Sequence, residues 1–189
     1  MLRVSVITAA LPSRVDQLAE AAASVRAQQH PPIEHLVRFD YDRRGSAYTR
    51  NALLASVNGD YVAVLDDDDV LYPNHLALLV RAVEETDADI VYPFCDVEGR
   101  AGWNPSRTFD EVALRQGNYI PVTALIRTTL LDRVGGWPES AASPGGFEDW
   151  ALWLKALDAG ARFFCVPEVT WRYRLHSGSK TYLGERWAA

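Results

Sequence analysis

Alternation predicts an α/β fold on a mainly parallel sheet. Through the first half of the chain, short runs of apolar and β-branched residues take turns with longer segments whose apolar residues recur every three or four positions. Turn formers separate them, and a strand–helix–strand–helix order favours three layers with the sheet in the middle.

Arg3 to Thr8 reads as the first strand. Ser13 then offers a cap, and Val15, Leu18, Ala22 and Val25 recur at helical spacing up to Gln28. After the Pro31-Pro32 break, His35 to Phe39 is a second strand and Ala47 to Val57 a second helix. Asn58-Gly59-Asp60 is the turn before a third strand, Tyr61 to Leu65. Pro73 to Glu85 is helical with Leu76, Leu79, Val80 and Val83 on one side, and Asp89 to Phe94 is a fourth strand. The second half is less regular. Gly99 to Asn118 reads as a long connection with some local helix, and Pro121 to Arg127 as a strand. Thr129 to Val134 is a short helix stopped by Gly135-Gly136. In Glu148 to Ala159, Trp150, Trp153, Leu154 and Leu157 are spaced for one buried face, with Gly160 as the stop. Arg162 to Val166 and Val169 to Arg174 read as two further strands. Residues 1–180 form one expected domain and 181–189 a tail, with no repeat or linker between.

At 189 residues, with 48% hydrophobic and 23% charged, the chain has the balance of a soluble globular domain with a genuine core. A net charge of −6 disfavours nonspecific adherence to nucleic acid or anionic membrane. No apolar stretch is long enough to span a membrane, and the first residues are strand-like rather than a signal peptide. Cys95 and Cys165 both fall in expected strands, which suits buried reduced thiols rather than a disulfide framework or a structural zinc. A cytoplasmic protein is the expectation.

Chemistry concentrates where the third strand ends. Asp66, Asp67, Asp68 and Asp69 follow directly on Leu65. Two carboxylates at ~5 Å and an effective dielectric near 20 repel by about 3 kcal/mol, so such a group needs compensation. A divalent cation supplies it, and hard oxygen ligands suit Mg²⁺ or Mn²⁺ with open positions for nucleotide phosphates. The plainer alternative is a solvated acidic loop, with Asp69 favoured by the dipole of the helix that Pro73 opens. The strand-end position, where open α/β sheets gather their ligands, favours the metal. Residues 8–13 carry no glycine, so neither a dinucleotide fingerprint nor a P-loop is present, and a bound diphosphate would depend on the metal.

Several segments in order resemble glycosyltransferase family 2, whose members have the GT-A fold, a Rossmann-like three-layer sandwich with a mostly parallel central sheet. The resemblance covers about residues 3–180. Its segments are Val4-Ser5-Val6-Ile7, Thr49-Arg50-Asn51, Asn58-Gly59-Asp60-Tyr61 running into Leu65 and the aspartates, and Val134-Gly135-Gly136-Trp137. Phe147-Glu148-Asp149-Trp150 and Tyr173-Arg174-Leu175-His176 complete the set. It implies a metal-dependent, inverting transfer of a sugar, a hexose by type, from a nucleoside-diphosphate sugar to an acceptor hydroxyl. In it Asp68 is a direct metal ligand, with Asp66 and Asp67 at ribose, diphosphate or metal-bound water. Asp40 accepts from a uracil N–H, which makes a UDP-sugar the expected donor, and Thr8 and Ala9 line the base pocket through backbone groups. Arg50 approaches the nucleotide, unless it forms an ordinary salt bridge on a helix surface. Asp149 is the implied catalytic base, with Glu148 beside it, although a Glu-Asp pair also suits any helix start. His176 is a further ligand suited to Mn²⁺. The other histidines, His30, His35 and His75, are left as surface or packing residues.

The segments after the first and second strands, Thr8 to Arg14 and Asp40 to Gly45, depart from the family's usual Pro-Thr-Tyr-Asn and Asp-Asp-Gly-Ser. Arg43 and Arg44 are alternative partners for the phosphates. The acceptor, whether glycan, lipid-linked glycan, protein or modified nucleic acid, is expected near Trp103, Asn118, Tyr119 and the Ser140 to Phe147 loop. Two other classes stay open: a non-catalytic module binding nucleotide-sugar and divalent cation, and a sugar nucleotidyltransferase. The second normally needs the glycine-rich basic loop this chain lacks.

Overall fold

The computed structural model describes residues 1–98, 107–139 and 147–175. Trp103, the residues 140–146 and His176 therefore lie outside the described residues. The order is β1 (Val4–Ala10), a 3₁₀ turn (Pro12–Arg14), α1 (Val15–Arg26), β2 (Glu34–Phe39), α2 (Ser46–Leu54), β3 (Tyr61–Val64), β4 (Val70–Leu71) and α3 (His75–Thr86). It continues with β5 (Ile90–Glu98), α4 (Glu111–Gln116), β6 (Leu125–Arg127), α5 (Thr128–Val134), α6 (Glu148–Asp158) and β7 (Phe163–Arg174).

The strands form one seven-stranded sheet in the order β2-β1-β3-β6-β5-β7-β4. β1, β2 and β3 are mutually parallel, as are β5 and β7, while β6 runs against both of its neighbours and β4 against β7. Strand alternation feeds two cores. Val62 and Val64 face one, Tyr61, Ala63 and Leu65 the other. α1 and α3 cover the second face through Ala21, Val25, Leu76, Leu79, Val80 and Val83, each large side chain gaining about 2 kcal/mol by burial. α2, α5 and α6 cover the first, with Trp153 fully buried and its indole N–H on the Ile120 carbonyl at 3.1 Å. In α6 the buried side chains are Ala151, Leu152, Trp153 and Ala156, whereas Leu154 and Leu157 sit half-exposed at its edge.

The main differences from expectation lie in the second half. Only Leu125–Arg127 of the expected Pro121 strand pairs, and it enters antiparallel between β3 and β5. The two expected C-terminal strands are one, β7, paired with β5 along its length. Pro167 and Glu168 are skipped in the register, Pro93 opposing Val166 and Phe94 opposing Val169, because proline cannot donate to the ladder. The two-residue β4 carried no strand signal and exists because β7 offers it an edge.

β1 connects to β2 through α1 on one face, and β2 to β3 through α2 on the other. The carboxyl ends of β1 and β3 thus flank a topological switch point, where open sheets leave a crevice for ligands. The four aspartates stand there.

Candidate active site

Asp66 to Asp69 form a turn, the Asp69 N–H donating to the Asp66 carbonyl at 3.3 Å. A turn cannot aim four successive side chains alike. Asp66, Asp68 and Asp69 each offer an oxygen within 4.8 Å of the others. Asp67 points back toward β1, where its oxygens accept from the Leu11 N–H at 2.6 Å and the Arg14 guanidinium at 2.9 Å. It is buried, and desolvation holds its carboxyl above the usual range. Asp67 thus anchors the 3₁₀ turn after β1 rather than joining the group of three, and Asp69, expected only to favour a helix dipole, takes that place. Asp69 is buried too, and burial together with the charges of Asp68 and Asp66 pushes its carboxyl well up. One of its oxygens accepts from the Arg174 N–H at 2.9 Å, which ties the end of β7 to the group.

Part of the compensation these carboxylates need is already inside the protein. Arg14 lies 2.7 Å from Asp68 as well as 2.9 Å from Asp67. Arg50, on α2, is buried and spans two elements, with one nitrogen 2.6 Å from Asp66 and the other 3.1 Å from Glu148. It is not a surface salt bridge but a strut between the strand-end aspartates and the start of α6. Glu148 also accepts from the Ser46 hydroxyl, one turn before Arg50 on α2.

Asp149 opens α6 beside it. One oxygen accepts from Asn118 at 2.9 Å and the other from the Trp150 N–H at 2.9 Å. Burial, then the charge of Glu148, outweighs these donors and raises its carboxyl to about 6. Asn118, expected near the acceptor, is the side chain that aims Asp149; its own oxygen accepts from the Ile120 N–H at 3.2 Å.

The remaining candidates lie on β1, on β2 and in the loop after β2. Asp40 closes β2 and accepts from the N–H groups of Arg44 and Gly45, each at 2.8 Å. Its carboxylate therefore shapes the loop in which Arg43 and Gly45 adopt positive φ of 53° and 96°. Arg44 stacks on Tyr48 with its guanidinium carbon 3.4 Å from the ring centroid. Thr8 is buried with its hydroxyl 2.9 Å from His35, so any contact of its own to a base is through the main chain, while Ala9 is partly exposed. His75 and His35 are packing residues, their imidazoles held well below the ordinary range by burial. Arg14 was missed as a contact because nothing local marks it; its signal is to be the cation of the segment that leaves β1 beside the acidic strand end.

Gly135 and Gly136 have φ of +72° and +68°, and a Cβ on Gly136 would come within 2.4 Å of the Asn51 amide oxygen. That oxygen accepts from the Trp137 N–H at 2.8 Å, while the Asn51 amide donates to the Trp137 carbonyl at 2.8 Å. The glycine pair and the Arg-Asn pair are thus two halves of one contact.

A half-open α/β sheet with an acidic group at its switch point, facing a carboxylate at a helix start, defines the GT-A class of fold. The chain belongs to glycosyl transferase family 2, whose sequence profile matches residues 12–145. A succinoglycan biosynthesis protein, ExoO of Rhizobium meliloti, is 26% identical over 183 residues, covering 87% of this chain and 51% of the relative. Staphylococcus aureus TarS in complex with UDP-GlcNAc superposes with a TM-score of 0.76 at 17% identity, over 100% of this chain and 62% of that one. The mannosyltransferase PcManGT of Pyrobaculum calidifontis, in complex with GDP-Man and Mn²⁺, gives 0.69 at 18% identity over 94% and 58%. The chain thus spans about half the length of the curated relative and about three-fifths of these structures. Among the described residues no helix is long and apolar enough to cross a membrane.

Proposed function

We propose that the chain transfers a hexose from a nucleoside-diphosphate sugar to an acceptor hydroxyl with inversion at the anomeric carbon. The observation that carries this reading is the arrangement of two acidic sites linked by one arginine. Asp66, beside Asp68 and Asp69, is joined through Arg50 to Glu148, next to which stands Asp149, a carboxylate raised to about 6.

The hard oxygens of Asp66, Asp68 and Asp69 fit Mn²⁺ or Mg²⁺, and the crowding that raises Asp69 is the kind a dication relieves. His176 is the expected nitrogen ligand. A divalent ion held there supplies counter-charge to the departing diphosphate. Asp149 takes the proton of the acceptor hydroxyl while that oxygen bonds to the anomeric carbon, and the bond to the diphosphate breaks on the opposite side. A base near 6 is ionised at neutral pH yet basic enough to receive a proton. Glu148 anchors α6 through Ser46 and Arg50, so Asp149 is the base and Glu148 its support.

For the donor, Asp40 at the end of β2 supports uracil, and the likeness to a UDP-GlcNAc complex points the same way. The likeness to a GDP-Man complex keeps guanosine as the competitor, and calorimetric titration of UDP against GDP with Mn²⁺ decides between them. The name of one curated relative, a succinoglycan biosynthesis protein, favours a glycan acceptor, free or lipid-linked, over a protein or nucleic acid.

Incubation with a nucleotide-sugar panel and Mn²⁺ tests the whole reading. Release of nucleoside diphosphate is expected, lost with nucleotide binding in Asp68→Asn. In Asp149→Asn binding is retained while transfer falls about 10²–10⁴-fold. Pyrophosphate release would instead indicate a nucleotidyltransferase, and binding without any release a non-catalytic module.

A further inference from the structure

We propose that Arg14 is an internal counter-ion that holds Asp68 until a divalent cation and a nucleotide diphosphate arrive together, and then turns to the diphosphate. This rests on the reading that Asp66, Asp68 and Asp69 hold the cation.

One Arg14 nitrogen serves two carboxylates of different standing, Asp67 at 2.9 Å and Asp68 at 2.7 Å. Asp67 is outside the group suited to a cation and is bound independently by the Leu11 N–H at 2.6 Å. Asp68 is inside that group. Of these two carboxylates, Asp67 is the lasting partner of Arg14 and Asp68 the one shared with the cation. A guanidinium and a dication repel when both crowd one carboxylate, so filling the site displaces Arg14 from Asp68 but leaves its tether on Asp67.

Arg50 differs. Its side chain is 3% exposed and locked between Asp66 and Glu148, whereas that of Arg14 is 22% exposed and stands on the turn that follows β1. That turn lies where other nucleotide folds place a glycine-rich helix start, and residues 8–14 contain no glycine. A planar guanidinium with several donors suits phosphate oxygens and supplies what that backbone does not. The two bindings become coupled: the cation releases Arg14, and the diphosphate gives it a new partner.

Calorimetry with Mn²⁺ alone, and with UDP at saturating Mn²⁺, tests this on wild type and Arg14→Met. Mn²⁺ alone should bind the variant more tightly, on the order of tenfold, and UDP with Mn²⁺ less tightly by a similar factor. Unchanged or weaker Mn²⁺ binding by the variant overturns the proposal while leaving the cation reading intact. If wild type fails to bind Mn²⁺ even with UDP, the cation reading falls and this proposal with it. Since Arg14→Met also strips a partner from buried Asp67, a measurement on wild type guards against misfolding. The Arg14 side-chain nitrogen signal, assigned by its loss in Arg14→Lys, should move when Mg²⁺ and UDP are added together. An unmoved signal overturns the proposal.

Discussion

A carboxyl raised from 3.8 to about 6 makes Asp149 a liability to stability at neutral pH, and the size of that liability can be measured. Well below pH 3.8 the group is protonated in both folded and unfolded chains and contributes nothing. Between 4 and 6 the unfolded carboxyl ionises while the folded one keeps its proton, so the folded state binds more protons and stability falls as pH rises. Above 6 the whole cost is present. At about 1.4 kcal/mol per pH unit, the displacement is worth about 3 kcal/mol. Asp149→Asn removes the titration. The substitution leaves one amide end facing a donor, since Asn118 and the Trp150 N–H both point at residue 149, but that penalty does not vary with pH. Urea unfolding of both proteins from pH 4 to 7 therefore reads the effect. The stability of wild type relative to Asp149→Asn should fall by about 2.4 kcal/mol across that range, the remainder of the cost being already present at pH 4. Displaced groups elsewhere, Asp69 and Asp67 among them, are present in both proteins and cancel. In wild type, kcat/KM should rise through pH 6 and level off, the base having to be ionised to work. A pH-independent stability difference would show that Asp149 titrates normally and remove the argument for it as a tuned base.

Two further substitutions test the frame around it. Arg50→Met leaves Asp66 and Glu148 without their shared cation and should cost about 3–5 kcal/mol, a drop in Tm of roughly 10 °C or more by scanning calorimetry. Gly136→Ala combines a left-handed φ with a Cβ 2.4 Å from the Asn51 oxygen. It should lower the urea midpoint by the equivalent of about 2–4 kcal/mol, and a cost below about 1 kcal/mol would mean that the Asn51–Trp137 contact yields easily.

The parts of the site legible in the sequence are those fixed by local order. Tyr61 to Val64 is β-branched and apolar, so the aspartates had to emerge at a strand end, and Glu148-Asp149 ahead of two tryptophans had to open a helix. Which aspartates come together was not legible, because that depends on the Asp66–Asp69 turn and on where β1 leaves the sheet. Pairings between distant segments were likewise hidden. The β6 segment was read as a longer strand because nothing in it records that its partners, β3 and β5, run the other way. Pro167 was read as the end of a strand, whereas β5 continues the pairing on both sides of it.

The Arg50-Asn51 pair shows how a short motif acquires more than one reason to exist. Ser46 and Arg50 stand one turn apart on α2 and both reach Glu148, while Arg50 also reaches Asp66 and Asn51 clamps the main chain of Trp137. This helix runs only from Ser46 to Leu54, too short to be stable by itself, so it is held by what it connects. A bidentate arginine is required because lysine, a point charge, cannot place two separate donors on two carboxylates in fixed directions. The same helix thereby sets the spacing between the aspartates at the end of β3 and α6. That separation is thus fixed by a buried ion pair that joins Asp66 to Glu148.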